Sequence, residues 1–280
     1  MLNIFRQRGL SMVELLVTLA ISSFLILGIT QVYIDNKRNY VFQQSQADNL
    51  ENSRFSTLML DELLGKAGYR RVPDQEMFDA FPASSALSEH CAAFPIEAVI
   101  TKIKPDLGSD QVGFCIRYQP ATAGELICDG SATTLTKDKP FLYPALTDTV
   151  YVAIKFTPHA SDLNKGTLRC ITSTASAELV DGIADMSIEF GSGLTSEKRL
   201  TASTPFKLAE AWSTTDGPVR AVRYSVLAVS RNNQRVGDSN IYTQYLTTAR
   251  ATAKKRLVEQ DKNQIYQLVT GAQAIRNVMP

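Results

Sequence analysis

Glu14 is the only charged residue in a run of 25, from Leu10 to Ile34 (LSMVELLVTLAISSFLILGITQVYI). A carboxylate placed in hydrocarbon costs about 2.5–3.5 kcal/mol on insertion scales, so an acid in such a run marks a function, and its chemistry is charge pairing. A second set of reactive side chains is Cys91, Cys115, Cys128 and Cys170. An even cysteine count in an oxidising compartment reads as two disulfides. Four cysteines allow three connectivities, and the nearest-neighbour pairing, Cys91–Cys115 with Cys128–Cys170, is preferred. Each bridge would close a loop of tens of residues, worth about 3–4 kcal/mol in the chain-entropy model. A metal site is the rival reading, because His90 abuts Cys91, but no CxxC spacing is present.

The remaining candidates for catalysis are sparse. The chain contains no GxSxG, P-loop, HExxH or GxGxxG, and its only histidines are His90 and His159. Ser161 and Asp162 beside His159 read as a loop. Asp61 and Glu62 are neighbours on a helix and so point in different directions. Trp212 lies in a polar stretch and reads as a plug for the core, or else as an interface anchor. No enzyme activity, metal or cofactor is expected.

The element that must position Glu14 is a membrane helix. About 20 apolar residues span a bilayer core, so this run is long enough. Arg6 and Arg8 precede it, and Asp35, Lys37 and Arg38 follow. The leading positives favour a cytoplasmic start and an outward-facing bulk. A secretory signal carries its small-residue cleavage site after a shorter apolar core. Here the small residue, Gly9, comes before the apolar run and ends a short basic peptide, MLNIFRQRG.

Gly9 followed by Leu10-Ser11-Met12-Val13-Glu14-Leu15 resembles the type III signal of type IV prepilins. The resemblance implies cleavage after Gly9 by a prepilin peptidase, methylation of the new N-terminus at Leu10, and an assembly role for Glu14 as the fifth mature residue. The chain differs from the usual pattern at Leu10, where phenylalanine is commoner. It also lacks the mid-helix proline of many pilins, with Gly28 and Gln31 in that region. A free α-amine at Leu10 of one subunit would pair with Glu14 of a neighbour, rewarding one axial offset over the others.

Beyond the membrane run, residues 36–66 contain no proline, and Ala47, Leu50, Phe55, Leu58, Met59 and Leu63 recur at helical spacing. They predict an amphipathic extension laid on a head, with Ala67-Gly68 and then Pro73 ending it. Runs at 111–118, 149–156, 166–172, 186–190 and 219–230 read as strands, and 265–275 could close their sheet. The expected fold class is therefore α+β: a long N-terminal helix packed on an antiparallel β-sheet head, a lollipop shape. The expected divisions are 1–9, a removed leader; 10–34, the membrane and assembly helix; 35–66, the amphipathic extension; and 67–280, a loop-rich β head. The formal net charge of +1 and pI near 7.6 argue against general nucleic-acid binding. The basic clusters 68–71 and 254–256 read as solvated charged faces.

Several head segments are similar to PilW-like minor pilins: Ala67-Gly68-Tyr69, the turn at 108–112 entering Ile116-Arg117-Tyr118, Leu168-Arg169-Cys170, the stretch 179–183 leading to Phe190-Gly191, and Ile275-Arg276-Asn277. In structural terms Asp110 would cap a turn, Gly182 would supply a left-handed backbone angle, and Arg276 would pair with an acid on the head. The resemblance implies a minor pilin of a Gram-negative type IV pilus that helps initiate assembly in a tip-associated complex. Its partners would be the prepilin peptidase, other minor pilins, the major pilin and the inner-membrane assembly platform. It would sit in the inner membrane by a single pass, with a periplasmic head, and then at the pilus surface. The alternatives are a J-like minor pseudopilin of a type II secretion system and a surface-anchored adhesin.

Overall fold

The computed structural model describes residues 11–107, 109–135, 142–193 and 205–278. The chain divides into two compact units between Gln44 and Ser45, and one helix, α1 (Met12–Lys66, 55 residues), contributes to both. Ser11 starts it, its carbonyl accepting from Leu15 N at 3.1 Å and its hydroxyl from Val13 N at 3.4 Å. At the far end Gly68 turns the chain with φ of 71°, a left-handed angle that glycine adopts without strain. Asn277 then donates from Nδ2 to the carbonyls of Gly65 and Ala67, at 3.0 Å each. These are among the carbonyls that a helix end leaves without partners.

In the first unit α1 carries its apolar side chains outward. Met12, Val13, Leu16, Phe24, Leu27 and Ile29 are each at least 60% exposed. The stretch is long and apolar enough to cross a membrane. Three of its hydroxyls donate within the helix: Thr18 Oγ1 to Leu15 O at 3.0 Å, Ser23 Oγ to Ala20 O at 2.7 Å and Thr30 Oγ1 to Ile26 O at 2.7 Å.

The second unit begins at Ser45. After α1 come α2 (Met77–Ala80), β1 (Ile100–Lys102), β2 (Val112–Tyr118), β3 (Val150–Thr157), β4 (Thr167–Ile171), β5 (Ser176–Val180), β6 (Ile183–Ser192), β7 (Phe206–Leu208), β8 (Val219–Val229), α3 (Asn240–Thr248), α4 (Ala251–Gln260) and β9 (Tyr266–Ala274). The strands form two antiparallel sheets, where the sequence suggests one: β1-β2-β3-β4-β5 and β7-β6-β8-β9. The final strand does complete a sheet, pairing with β8 from Ala221↔Ala274 to Val229↔Tyr266. Gly182, with φ of 73°, sits in the tight link from β5 to β6.

One core joins both sheets to the end of α1. Phe114, Ile116, Val152, Ile154 and Phe156 of the first sheet meet Met186, Ile188, Phe190, Val222 and Val226 of the second, with Leu60, Leu63 and Leu64 of the helix. The opposite face of each sheet is covered as well. Cys91, Phe94 and Ile103 pack on Cys115 and Ala153, and Tyr242, Tyr245 and Leu257 pack on Ala184, Leu227 and Val229. Two covered faces explain why β2 is buried at every residue, Arg117 included.

The helix face that packs on this unit differs from the apolar stripe described above. Its buried residues are Ser45, Asn49, Ser53, Ser56, Leu60, Leu63 and Leu64. Leu50, Phe55 and Leu58 are 44%, 45% and 68% exposed, Ala47 is exposed and Met59 half-buried; of the stripe, only Leu63 is buried. Spacings of three and four residues put Ser45 through Leu64 on one side of the helix. Small polar side chains there let the backbone approach and bond across: Asn49 Nδ2 donates to Ile265 O at 2.9 Å, Asn52 Nδ2 to Asp181 O at 3.2 Å and Asn232 Nδ2 to Ser45 Oγ at 3.3 Å.

Candidate functional site

Glu14 lies in the first turn of α1, where the helix dipole favours a negative charge. It is exposed, and among the described residues no hydrogen bond or ion pair reaches it. Gly9 and Leu10, the expected cleavage and methylation positions, lie outside the described residues. Glu14 is thus a carboxylate on an uncovered apolar helix with its own pairing capacity unused.

The head holds its reactive groups in structural roles. Cys91 is bonded to Cys115 and Cys128 to Cys170, with Cα–Cα distances of 6.0 Å in both bridges and sequence separations of 24 and 42. The first ties the loop-rich segment before β1 to β2, and the second ties the loop after β2 to β4. His90 beside Cys91 therefore shares no metal with it. His159 is an exposed loop residue whose Nδ1 accepts from Ser161 N at 3.3 Å. Asp61 and Glu62 diverge: Asp61 accepts from Tyr224 Oη at 2.8 Å, and Glu62 pairs with Lys66 at 3.3 Å. Trp212 is 3% exposed and packs edge-on against Phe190 with ring centres 5.7 Å apart. It lines one side of a cleft of about 510 Å³ that also exposes Arg70, Glu76, Glu97 and Arg220.

Two polar assemblies escaped the reading of the sequence. Arg117 is fully buried on β2. Its Nε donates to Ala98 O at 2.6 Å, Nη1 to Pro82 O at 2.5 Å, and Nη2 to Phe81 O at 3.0 Å and Pro95 O at 2.9 Å. The Phe81 and Phe94 rings flank the guanidinium at 5.4 and 5.0 Å. Burial lowers its pKa, but the five donors of an arginine keep it charged and suited to gathering several carbonyls.

The second assembly joins the sheets to α4. Asp110, expected to cap a turn, accepts instead from Arg250 Nη1 at 2.6 Å and Thr252 Oγ1 at 2.7 Å, with Arg256 Nε at 3.4 Å. Arg256 also donates to Asp185 at 2.8 Å and to Ala184 O at 2.7 Å, and Tyr245 Oη donates to Asp185 at 2.8 Å. Burial raises the Asp185 pKa, and the two arginines pull against it without cancelling it. Of the basic cluster 254–256, Lys254 and Lys255 are exposed, but the Arg256 side chain is only 12% exposed. It is a buried ion-pair partner, a correction to the solvated-face reading. For Arg276 the structure gives no ion pair among the described residues. Its neighbours carry the role of that segment: Ile275 is fully buried, and Asn277 caps α1.

Against known proteins, residues 4–30 match the model of the prokaryotic N-terminal methylation motif. The chain therefore carries an N-terminal methylation motif, and the described part of that match, from Ser11 on, lies on the exposed apolar stretch of α1. Among solved structures, a type IV-like pilin from Thermus thermophilus aligns over 83% of this chain and 98% of its own length, at 11% sequence identity and a TM-score of 0.42. No curated protein matches the chain.

Proposed function

We propose that the chain is a minor pilin that takes part in initiating type IV pilus assembly. The observation that carries this reading is the methylation motif over residues 4–30, continued by a helix whose apolar stretch is uncovered and holds one acid, Glu14, with no ion pair among the described residues. Prepilin peptidase cuts after Gly9 and the amine of Leu10 is methylated. Until extraction the subunit sits in the inner membrane with its head in the periplasm. There α1 helices of several subunits bundle, with Glu14 of one facing the Leu10 amine of the next. The two bridges suit an oxidising compartment. The large head, with two sheets and a helical pair, suits a tip-associated complex with other minor pilins. The role is structural, with no catalysis.

The test is an in-frame deletion scored in one strain for sheared surface pili and for secreted exoproteins. Loss of pili with normal secretion is expected. Loss of secretion with normal pili would replace this reading with a minor pseudopilin of a type II secretion system. With both intact, the assembly role would be withdrawn in favour of an anchored binding module.

A further inference from the structure

The free edge of β9 has the properties of an acceptor for another strand. Ile275 N donates to Arg220 O at 2.8 Å, and Ser230 N donates to Ile265 O at 2.9 Å. Both pairs share the register of the β8–β9 ladder, which runs through nine pairs without a shift. Bonded pairs alternate along an antiparallel ladder. Residues 267, 269, 271 and 273 therefore bond to β8, and Tyr266, Leu268, Thr270, Ala272 and Ala274 point their N–H and C=O groups away from it. Among the described residues nothing else hydrogen-bonds to that outward row.

Native sheets blunt such edges with charge, proline, bulges or short length. The other three edges of this head follow that practice. Strand β1 has three residues, β7 has three and includes Lys207, and β5 carries Glu178 and a register shift against β4. The nine residues of β9, YQLVTGAQA, contain no charge, no proline and no bulge. Thr270 and Ala272 are exposed on it. Leu268 and Val269, on opposite faces, are each only partly buried.

We propose that the β9 edge binds an extended, uncharged segment of a different polypeptide by strand addition. The backbone row supplies the hydrogen bonds, and apolar side chains of the incoming segment cover what Leu268 and Val269 leave exposed. An uncharged edge has no counter-ion for a charged strand, so the occupant is neutral where it pairs. Edge-to-edge pairing of two copies would cover roughly 30 Å by 10 Å on each, about half of the ~1,200 Å² expected of a stable interface. A flexible segment can also wrap both faces of the strand.

The test uses the full chain in detergent and a fluorescent synthetic peptide copying Tyr266–Ala274, an uncharged strand. Residue-resolved amide exchange is followed alongside binding. The expected result is saturable binding, with exchange at Leu268, Thr270 and Ala272 slowed at least about tenfold and Gln267 and Val269 unchanged. Ala272→Lys should weaken binding at least about tenfold, as should Ala272→Pro, which removes one outward donor at a position an edge strand tolerates. The proposal is overturned if the peptide does not bind, or if the outward amides are already protected in the lone protein. It is equally overturned if they become protected with protein concentration alone, which would make the occupant a second copy. None of these readouts depends on cleavage at Gly9 or on pilus formation, so the strand-addition proposal and the assembly reading fail separately.

Discussion

At the scale of single residues the head is organised by polar groups that replace helix and strand where neither forms. Arg117 gathers the carbonyls of Phe81, Pro82, Pro95 and Ala98, four acceptors in a proline-punctuated stretch that no ladder serves. Each carbonyl left unpaired in the interior costs about 1–3 kcal/mol. Arg117→Met fills the volume but leaves the Pro82 and Ala98 carbonyls without a donor, while Phe81 O and Pro95 O keep Glu97 N and Ala98 N, so it should destabilise the head by at least about 2 kcal/mol and open residues 81–98 to protease first. Arg117→Lys, with a point charge in place of a planar fork, should fall between. Thermal unfolding and limited proteolysis of the full chain read both effects, and an Arg117→Met protein with unchanged stability would show that water serves those carbonyls equally well. Nothing in the motif Ile116-Arg117-Tyr118 announces this role, because an arginine flanked by apolar residues in a strand looks like the solvent side of an alternating pattern.

At the scale of elements, the strands legible in the sequence are those with continuous or alternating apolar runs: β2, β3, β4, β6, β8 and β9. Strands β1 and β7 have three residues each, too few to show a period, and β5 (SAELV) is mostly small or polar. Helices α3 and α4 went unread although their signals are present. Ser239 accepts from Tyr242 N as an N-cap, Tyr242 and Tyr245 follow at helical spacing, and Ala253 and Leu257 continue the pattern. The basic residues at 254–256 interrupt the apolar pattern of α4, which rests on Ala253 and Leu257 alone. The docking face of α1 was misread for a different reason. Counting apolar residues finds Leu50, Phe55 and Leu58, but the face that packs runs from Ser45, Asn49, Ser53 and Ser56 to Leu60, Leu63 and Leu64, with Asn49 bonded to the Ile265 carbonyl. The two faces make opposite predictions. Asn49→Ala removes one of two donors to the Ile265 carbonyl, Ser230 N keeping the other, and should cost about 1 kcal/mol. Leu58→Ser, 68% exposed in the head unit, should stay within about 0.5 kcal/mol. Denaturant titration of the two variants compares them directly, and equal losses would mean the apolar stripe packs after all.

At the scale of the whole molecule, the apolar part of α1 and its one acid do different work, and their magnitudes separate them. Burying a Val, Leu, Ile, Phe or Met side chain is worth about 1.5–3 kcal/mol, and more than a dozen such side chains lie exposed between Met12 and Ile34. That sum holds the helix in lipid or among other helices, but sliding by a turn changes it little, because apolar residues occur all along the run. Glu14 contributes about 2.5–3.5 kcal/mol of penalty when unpaired at depth, and this term vanishes only where a cation meets it. On the proposed assembly, the apolar residues favour burial of the helix and the acid favours one offset. It follows that Glu14→Ala should leave membrane insertion intact, or slightly favoured, while incorporation into sheared surface filaments falls at least tenfold, about 1.4 kcal/mol of the pairing term being enough. Glu14→Gln should behave like Ala, since a neutral amide cannot pair with an ammonium as a carboxylate does. Gly9→Ala should reproduce the loss by keeping the Leu10 nitrogen in a peptide bond. Membrane fractionation and immunoblots of sheared material measure the two quantities in the same cells. Normal incorporation of Glu14→Ala would show that the helices find their offset without the charge, and would move the specificity of assembly to the heads.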